Sequence, residues 1–176
     1  ENLLSTNGKE ALNYIESRGL NDLTIKSFKI GYAPQNGLKE HLKYHGFNDE
    51  IMIKAGLLRY DKNNNLNEIF RNRLIFPIFD KKNYPVAFGA RAMFASKAKY
   101  LNSPNSLLFQ KSETLFGISH LNKDKFNSKP LLIVEGYMDV ISIFQSKLAN
   151  ALAPLGTTIS ENQIQTIWNL NNKPLV

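Results

Sequence analysis

The stretch that decides the fold of this chain lies at residues 131–140 and reads LLIVEGYMDV. Its first four residues are apolar without a break, which is typical of a strand buried on both faces of a parallel sheet. A strand that leads straight into a helix indicates a parallel α/β unit. The helix is predicted from apolar side chains that recur at helical spacing, and these are Tyr137, Val140, Ile141, Phe144 and Leu148.

The same pattern continues toward the end of the chain. Residues 149–153 are predicted to form a second strand, and Ser160 with Gln163 forms a capping box that starts another helix. Residues 173–176 read KPLV and are interpreted as the opening of a third strand. The apolar face of the second helix consists of Ile164, Ile167 and Trp168.

The first part of the chain has a different character. Residues 1–58 are interpreted as short helices separated by glycine and asparagine. Two β-type runs, 74–79 and 86–88, flank a turn and predict a hairpin. Within the first run Pro77 indicates an edge position or a bulge, because proline lacks the amide donor. Residues 95–108 are interpreted as a long polar loop.

A polar stretch at residues 123–130 is interpreted as a linker between two subdomains. The predicted fold class is therefore α/β, with an α+β subdomain at residues 1–122 and a partial parallel α/β subdomain at residues 129–176.

Composition favours a polyanionic partner. The chain has 22 Lys and Arg against 15 Asp and Glu, which gives a net charge of +7, although heavy use of Lys, Asn and Ile accounts for part of this excess. The absence of cysteine excludes disulfides and thiolate metal sites. No apolar run approaches the about 20 residues that a membrane span needs, so we expect a cytoplasmic protein without membrane contact.

Glu135 is the sharpest single candidate for chemistry. It follows a buried strand directly, at the carboxyl end where open α/β sheets bind their ligands. A carboxylate there suits Mg²⁺, but it equally suits the dipole of the helix that follows. Asp139, in the first helical turn, presents the same two alternatives, and capping is the commoner reason for an acid at that position.

Cationic side chains cluster around the predicted hairpin and loop. Arg71, Arg73 and Arg91 are interpreted as a phosphate-binding ridge, because guanidinium groups bind phosphate bidentately; the alternative is a solvated charged face. Lys99 and Tyr100 fit a cation and a stacking ring for single-stranded nucleic acid. These residues favour phosphoryl transfer on nucleic acid and do not name the reaction.

Several strings, taken together and in this order, resemble the DnaG-type bacterial primase family. The last two are similar to the opening motifs of a TOPRIM domain. The strings are RNRLIFPI (71–78), FGAR (88–91), KYLNSP (99–104), FQK (109–111), LFG (115–117), VEGYMDV (134–140) and APLGT (153–157).

The resemblance implies a nucleotidyltransferase, a DNA-directed RNA polymerase of the primase type. The ribose 3′-hydroxyl would attack the α-phosphate of a nucleoside triphosphate, with two Mg²⁺ (or Mn²⁺) ions. It implies that Glu135 is catalytic and holds the metal, with Asp139 as a further metal residue. The implied surface for nucleic acid and NTPs consists of Arg71, Arg73, Arg91, Lys99, Tyr100, Asn102 and Lys111.

The resemblance also implies partners. These are a single-stranded DNA template, NTPs, an RNA–DNA hybrid product and, through a C-terminal region beyond this chain, the replicative helicase. We expect the chain to stop before an Asp-x-Asp motif that completes the metal site, to be inactive alone, and to lack an upstream zinc domain.

Two alternatives stay open at this point. One is another TOPRIM enzyme, such as a phage primase-helicase, a topoisomerase or a nuclease subunit, which would share Glu135; the KYLNSP string favours primase. The other is a non-catalytic nucleic-acid-binding module that has lost the downstream aspartates.

Overall fold

The computed structural model describes residues 2–121 and 129–170. Within them lie six α-helices: α1 (Lys9–Ser17), α2 (Asp22–Ser27), α3 (Leu38–Tyr44), α4 (Asp49–Lys54), α5 (Tyr137–Ser146) and α6 (Glu161–Leu170). The strands are β1 (Gly31–Ala33), β2 (Leu58–Tyr60), β3 (Leu66–Glu68), β4 (Arg73–Phe79), β5 (Pro85–Ala92), β6 (Tyr100–Asn102), β7 (Leu115–Phe116), β8 (Leu131–Ile133) and β9 (Asn150–Pro154). Short 3₁₀ turns lie at Asn2–Leu4, Thr6–Gly8 and Ile118–His120.

The larger sheet is antiparallel, in the order β1-β4-β5-β6, and is built on the predicted hairpin. Leu74, Phe76 and Ile78 alternate along β4 and are completely buried on one face, as the period of two in a half-buried strand requires. A separate hairpin, β2-β3, surrounds a turn in which the Asp61 carboxylate accepts hydrogen bonds from the backbone N–H groups of Asn63 and Asn65.

Pro77 lies where β4 has no neighbour on one side. Its partner on β5 is Phe88, whose N–H and C=O both bond to Ser103 on the far side, so the Pro77 backbone faces away from β5. On that side β1 pairs with β4 only as far as Ile75. Because Pro77 has no strand beside its backbone N, its missing N–H removes no hydrogen bond from the sheet. The predicted edge position is confirmed for the part of β4 after Ile75.

The smaller sheet has the order β7-β9-β8. β8 and β9 are parallel, with Leu132 opposite Ala151, as the apolar run predicted. β7 is antiparallel to β9 and was not predicted, because two residues are too few to show a period. The fold is a mixed arrangement of helices and sheets, with the parallel α/β unit packed onto the antiparallel part.

Several sequence predictions need correction or fall outside the description, among them the linker predicted at 123–130, of which residues 123–128 are not described. Leu148 lies beyond the end of α5 and is 76% exposed. Of the three residues predicted to form the apolar face of α6, only Ile167 is buried, whereas Ile164 and Trp168 are exposed. The predicted loop 95–108 contains the strand β6. The predicted third strand at 173–176 lies outside the described residues.

One hydrophobic core runs through both parts of the fold. It contains residues from α1, the inner face of β4, and α5, including Ile15, Phe76, Tyr137 and Ile141. No helix among residues 2–121 and 129–170 is long and apolar enough to cross a membrane.

His120 packs where α2 and α5 meet. Its ring stacks on Phe28 with centroids 3.9 Å apart and meets Phe144 edge-on at 5.5 Å. Its Nε2 lies 3.2 Å from the carbonyl oxygen of Ser27. Burial lowers the pKa of His120 below its ordinary value, and the Ser27 carbonyl offsets part of that shift. The neutral ring is therefore the form that the fold stabilises.

We expect the free energy of unfolding to fall as the pH drops below about 6.5, because the unfolded chain then binds a proton that His120 in the folded chain resists. Denaturant unfolding at a series of pH values between about 7.5 and 5 measures this slope. His120→Gln should flatten it, whereas His45→Gln, which alters an exposed histidine, should not. An unchanged slope in His120→Gln would contradict the prediction.

Candidate nucleic-acid interface

Glu135 occupies the position that the sequence predicted. It lies just past the carboxyl end of β8, whose ladder is extended by a 2.9 Å hydrogen bond from the Val134 N–H to the Leu152 carbonyl. Its side chain is exposed, and it makes no hydrogen bond or ion pair with the residues that the structure describes. No side chain among the described residues therefore competes with a ligand for this carboxylate.

Asp139 has a structural partner. Its Oδ2 accepts a hydrogen bond of 3.1 Å from the backbone N–H of Gly136, the residue before α5 begins. An acid at this position satisfies one of the amide donors at the helix start, so the capping alternative describes this contact. The Asp139 side chain is exposed and lies in the first turn of α5, which begins two residues after Glu135.

The donor set at this edge fits a hard divalent cation in part. Glu135 and Asp139 supply carboxylate oxygens, which Mg²⁺ prefers, and Mg²⁺ is commonly held by one or two carboxylates together with substrate phosphates. Within residues 2–121 and 129–170 no group of three or more His, Cys, Asp or Glu residues lies close enough together to hold a metal ion.

The three arginines do not form one ridge. Arg91 is opposite Leu74 in the β4–β5 ladder, so it shares the face of the sheet that carries the core. Arg73 is one residue away from Leu74 and therefore points to the other face. Arg71 precedes β4 and is exposed.

Arg73 is a buried cation that holds a loop. It is only 8% exposed, and its Nη2 donates to the Ser96 hydroxyl at 3.2 Å and the Ala98 carbonyl at 3.0 Å. Its Nη1 is buried and makes no hydrogen bond within the described part of the chain. Burial lowers the pKa of the Arg73 guanidinium, and the side chain is shielded from any phosphate outside the loop.

Arg91 is held in place by an aromatic ring that the sequence did not point to. Its guanidinium carbon lies 3.8 Å from the centre of the Tyr14 ring on α1, a cation–π contact. Its Nη1 also donates to the Ala92 carbonyl at 3.2 Å. The half-buried guanidinium is therefore oriented before any ligand arrives.

Lys99 and Tyr100 lie at the outer edge of the large sheet. Tyr100 begins β6 opposite Arg91, and its ring is 49% exposed. Lys99 is exposed, while its carbonyl accepts a hydrogen bond of 2.8 Å from the Ala92 N–H. The backbone here is fixed and both side chains are available to a ligand.

Asn102 turns inward from the same strand. Its Oδ1 accepts a hydrogen bond from the Tyr137 hydroxyl, and its Nδ2 donates to the Leu155 carbonyl at 2.6 Å. The predicted nucleotide-binding residue is thus engaged with the start of α5 and with the loop that follows β9.

Lys111 lies on a turn that α6 holds from the side. The buried Gln163 donates through Nε2 to the carbonyls of Lys111 and Thr114, at 2.9 and 2.8 Å. The predicted capping box is confirmed: Ser160 N donates to Gln163 Oε1 at 3.0 Å, and Gln163 N donates to Ser160 Oγ at 3.2 Å. Residue type had suggested only the capping role of Gln163.

Comparison with known proteins gives the family context. Residues 1–122 match the family described as "DNA primase catalytic core, N-terminal domain", and residues 129–174 match the Toprim domain. A DNA primase from Rickettsia felis is 38% identical over 166 residues, which cover 93% of this chain and 28% of that protein.

Solved structures agree over almost the whole chain. The DnaG primase catalytic domain bound to ssDNA has a TM-score of 0.80 at 36% identity, covering 96% of this chain and 55% of that one. The RNA polymerase domain of Mycobacterium tuberculosis primase, in complex with double-stranded DNA, has a TM-score of 0.87 at 31% identity, covering 98% and 56%. The chain thus spans about half of these solved domains, and 28% of the Rickettsia felis protein.

We expect Gln163→Ala to lower the free energy of unfolding by about 2–3 kcal/mol, because it leaves two backbone carbonyls without their donor and removes half of the capping box. Thermal or urea unfolding measures the change. Gln165→Ala on the exposed side of the same helix is the matched control and should change stability by about 0.5 kcal/mol or less. Equal effects of the two substitutions would contradict this role of Gln163.

Proposed function

This chain belongs to the DNA primase catalytic-core family, and we propose that it takes part in synthesising short RNA primers on a single-stranded DNA template. The resemblance found in the sequence is confirmed at the level of the family. Activity, substrates and partners are properties of the whole protein, and we propose them here from the arrangement of this chain's residues.

A single observation carries the proposal. The strand β6, which begins at Tyr100 directly after Lys99, is bonded through Asn102 to the edge of the small sheet that presents Glu135. A polymerase needs a surface for the template strand beside a carboxylate that can hold a metal ion at the reacting phosphates, because the bond forms only when the two ends are brought together. Both lie on one continuous piece of this structure.

The charges support a nucleic-acid ligand. The ion pairs within the described residues join Lys39 and Lys43 to Asp49, and Lys54 to Glu50. The cations of the candidate interface take no part in them, so they keep their charge for phosphate. We propose that direct contacts come from Arg71, Arg91, Lys99, Tyr100 and Lys111, while Arg73 and Asn102 hold the surface in shape.

Glu135, with Asp139 beside it, would hold the divalent cation, Mg²⁺ or Mn²⁺. When bound, such an ion neutralises charge on the attacking and leaving oxygens of nucleotidyl transfer. Lys111 and Arg91 would bind phosphates of the NTP or the template, and Tyr100 would stack on a base. An RNA–DNA hybrid product, a replicative helicase partner and a zinc domain elsewhere in the protein stay predictions.

In the full-length protein encoded by this gene, Glu135→Gln should reduce primer synthesis by at least about 100-fold, because it removes the charge that holds the metal while keeping the shape of the side chain. Synthesis on single-stranded DNA with labelled NTPs and Mg²⁺ measures the effect. Affinity for the template should stay within about twofold of the parent.

Glu161→Gln, at an exposed acid on α6, is the matched control and should be fully active. If the Glu135→Gln protein works as well as the parent, Glu135 is not the catalytic carboxylate. Parent protein that binds DNA but makes no primer would favour the binding-module alternative.

Binding of the 176-residue chain to single-stranded DNA should depend on salt through Lys99, which is exposed, and Lys111, which is partly exposed. Lys99→Ala and Lys111→Ala should each reduce the slope of log affinity against log salt by about 0.7, the value for one phosphate contact on a single strand. Fluorescence anisotropy at several salt concentrations measures the slopes. Arg73→Gln should leave the slope within about 0.3 of the parent, because its guanidinium faces the loop. A drop equal to that of Lys99→Ala would show that Arg73 binds phosphate directly.

A further inference from the structure

We infer that Asn102 and Tyr137 are positioning residues. They hold the Glu135 edge, which is the edge of the small sheet where β8 and β9 end, at a fixed distance from β6, the protein strand that we propose contacts the DNA template. This inference rests on the proposed function and goes beyond it. It assigns Asn102 a role different from nucleotide contact, and it adds Tyr137 to the residues on which the reaction depends.

The orientation of the Asn102 side chain follows from its two partners. The Leu155 carbonyl can only accept a hydrogen bond, so the NH₂ end of the carboxamide must face it. The oxygen end then faces the Tyr137 hydroxyl, which donates. Burial raises the pKa of Tyr137, so this hydroxyl keeps its proton and donates at neutral pH.

The Tyr137 ring is clamped on several sides. It stacks on Phe76 with ring centroids 5.2 Å apart and meets Phe116 edge-on at 4.7 Å. On the sheet it lies over Gly89, where an added Cβ would come within 2.3 Å of Cζ in the ring. Phe76, Gly89 and Asn102 are cross-strand neighbours in one row, so the ring fills a gap that glycine leaves in the row.

The link reaches both strands that form the candidate metal edge. Tyr137 lies two residues after Glu135, and Leu155 is the first residue after β9. Because β8 and β9 are parallel, their carboxyl ends lie side by side. Asn102 itself is two residues from Tyr100. One side chain thus connects the template surface to both ends of that edge.

This geometry predicts which kinetic step becomes slower when the hydrogen bond between Asn102 and Tyr137 is removed. The template and the NTP are bound by other side chains, so their affinities should hold. Glu135, through the cation that it would hold, must still be placed at the reacting phosphate, and a misplacement of about 1 Å is enough to cost roughly 100-fold in rate. Loss of the link should therefore lower kcat and leave KM and template affinity unchanged.

The test is a double-mutant cycle in the full-length protein with Tyr137→Phe, Asn102→Ala and the pair. Primer synthesis gives kcat and KM for NTP, and anisotropy gives template affinity, at a temperature where circular dichroism shows each protein folded. We expect each single change to lower kcat by about tenfold, with KM and affinity within about twofold. The double variant should be no worse than the worse single, because both changes break one link. Tyr84→Phe, at an exposed tyrosine in the β4–β5 turn, is the control.

Three results would overturn the inference. Multiplying effects in the double variant would show that the residues act independently. A raised KM for NTP in Asn102→Ala, with Tyr137→Phe unaffected, would make Asn102 a nucleotide ligand. Unchanged kcat in Tyr137→Phe, which removes a single oxygen and keeps the packed ring, would leave the link a purely structural one. Parent protein without primer synthesis contradicts the proposed function instead, so the two failures are distinguishable.

Discussion

The Tyr137 ring lies against Gly89, at the one place in its row of the large sheet that has no side chain. Through this contact α5 packs on the inner face of β4, where Phe76 stacks against the same ring. The hydrophobic core is thereby shared between the antiparallel part and the parallel α/β unit. A shared core fixes the two parts of the fold relative to each other, because close-packed interiors have little room to deform. The orientation of the Glu135 edge relative to β6 is fixed by this packing and by the hydrogen bonds of Asn102 around it.

Charge and rigidity act together at the candidate interface. Arg91 is stacked on Tyr14, and Lys99 is carried by a backbone that is bonded into the sheet. Arg73 hydrogen-bonds to Ser96 and Ala98 and so holds the loop that leads into Lys99. A preorganised cation loses little conformational freedom when a phosphate binds, so more of the Coulomb attraction remains as binding energy. Glu135 lies apart from them, just past the end of β8, and forms no ion pair with these cations within the described part of the chain.

Much of this arrangement could be predicted from the sequence, because long periodic segments carry their own signal. The apolar run before Glu135 predicted a parallel strand, and the Ser160 capping box marked the start of α6. The predicted burial on both faces was wrong, because only Leu131 of β8 is buried, while Leu132 and Ile133 are partly exposed. The face of the sheet on which each arginine lies could not be predicted, since it depends on how β4 and β5 are aligned. The contact of Tyr14 with Arg91 joins residues far apart in the chain and leaves no local trace. Leu148 was assigned to a helix that ends before it, because helix ends are the least regular part of the pattern.

In the arrangement that we propose, a metal held by Glu135 lies beside β6, the protein strand that contacts the DNA template. Paramagnetic broadening by Mn²⁺ tests it directly in the full-length protein with ¹⁵N-labelled amides, since amides near the ion lose intensity at low Mn²⁺ concentrations. The account predicts broadening at the amides of Gly136 and Gly156 and also along β6, at Tyr100 and Asn102, with all of it lost in Glu135→Gln. Broadening that spares β6, or that survives Glu135→Gln, would contradict the account.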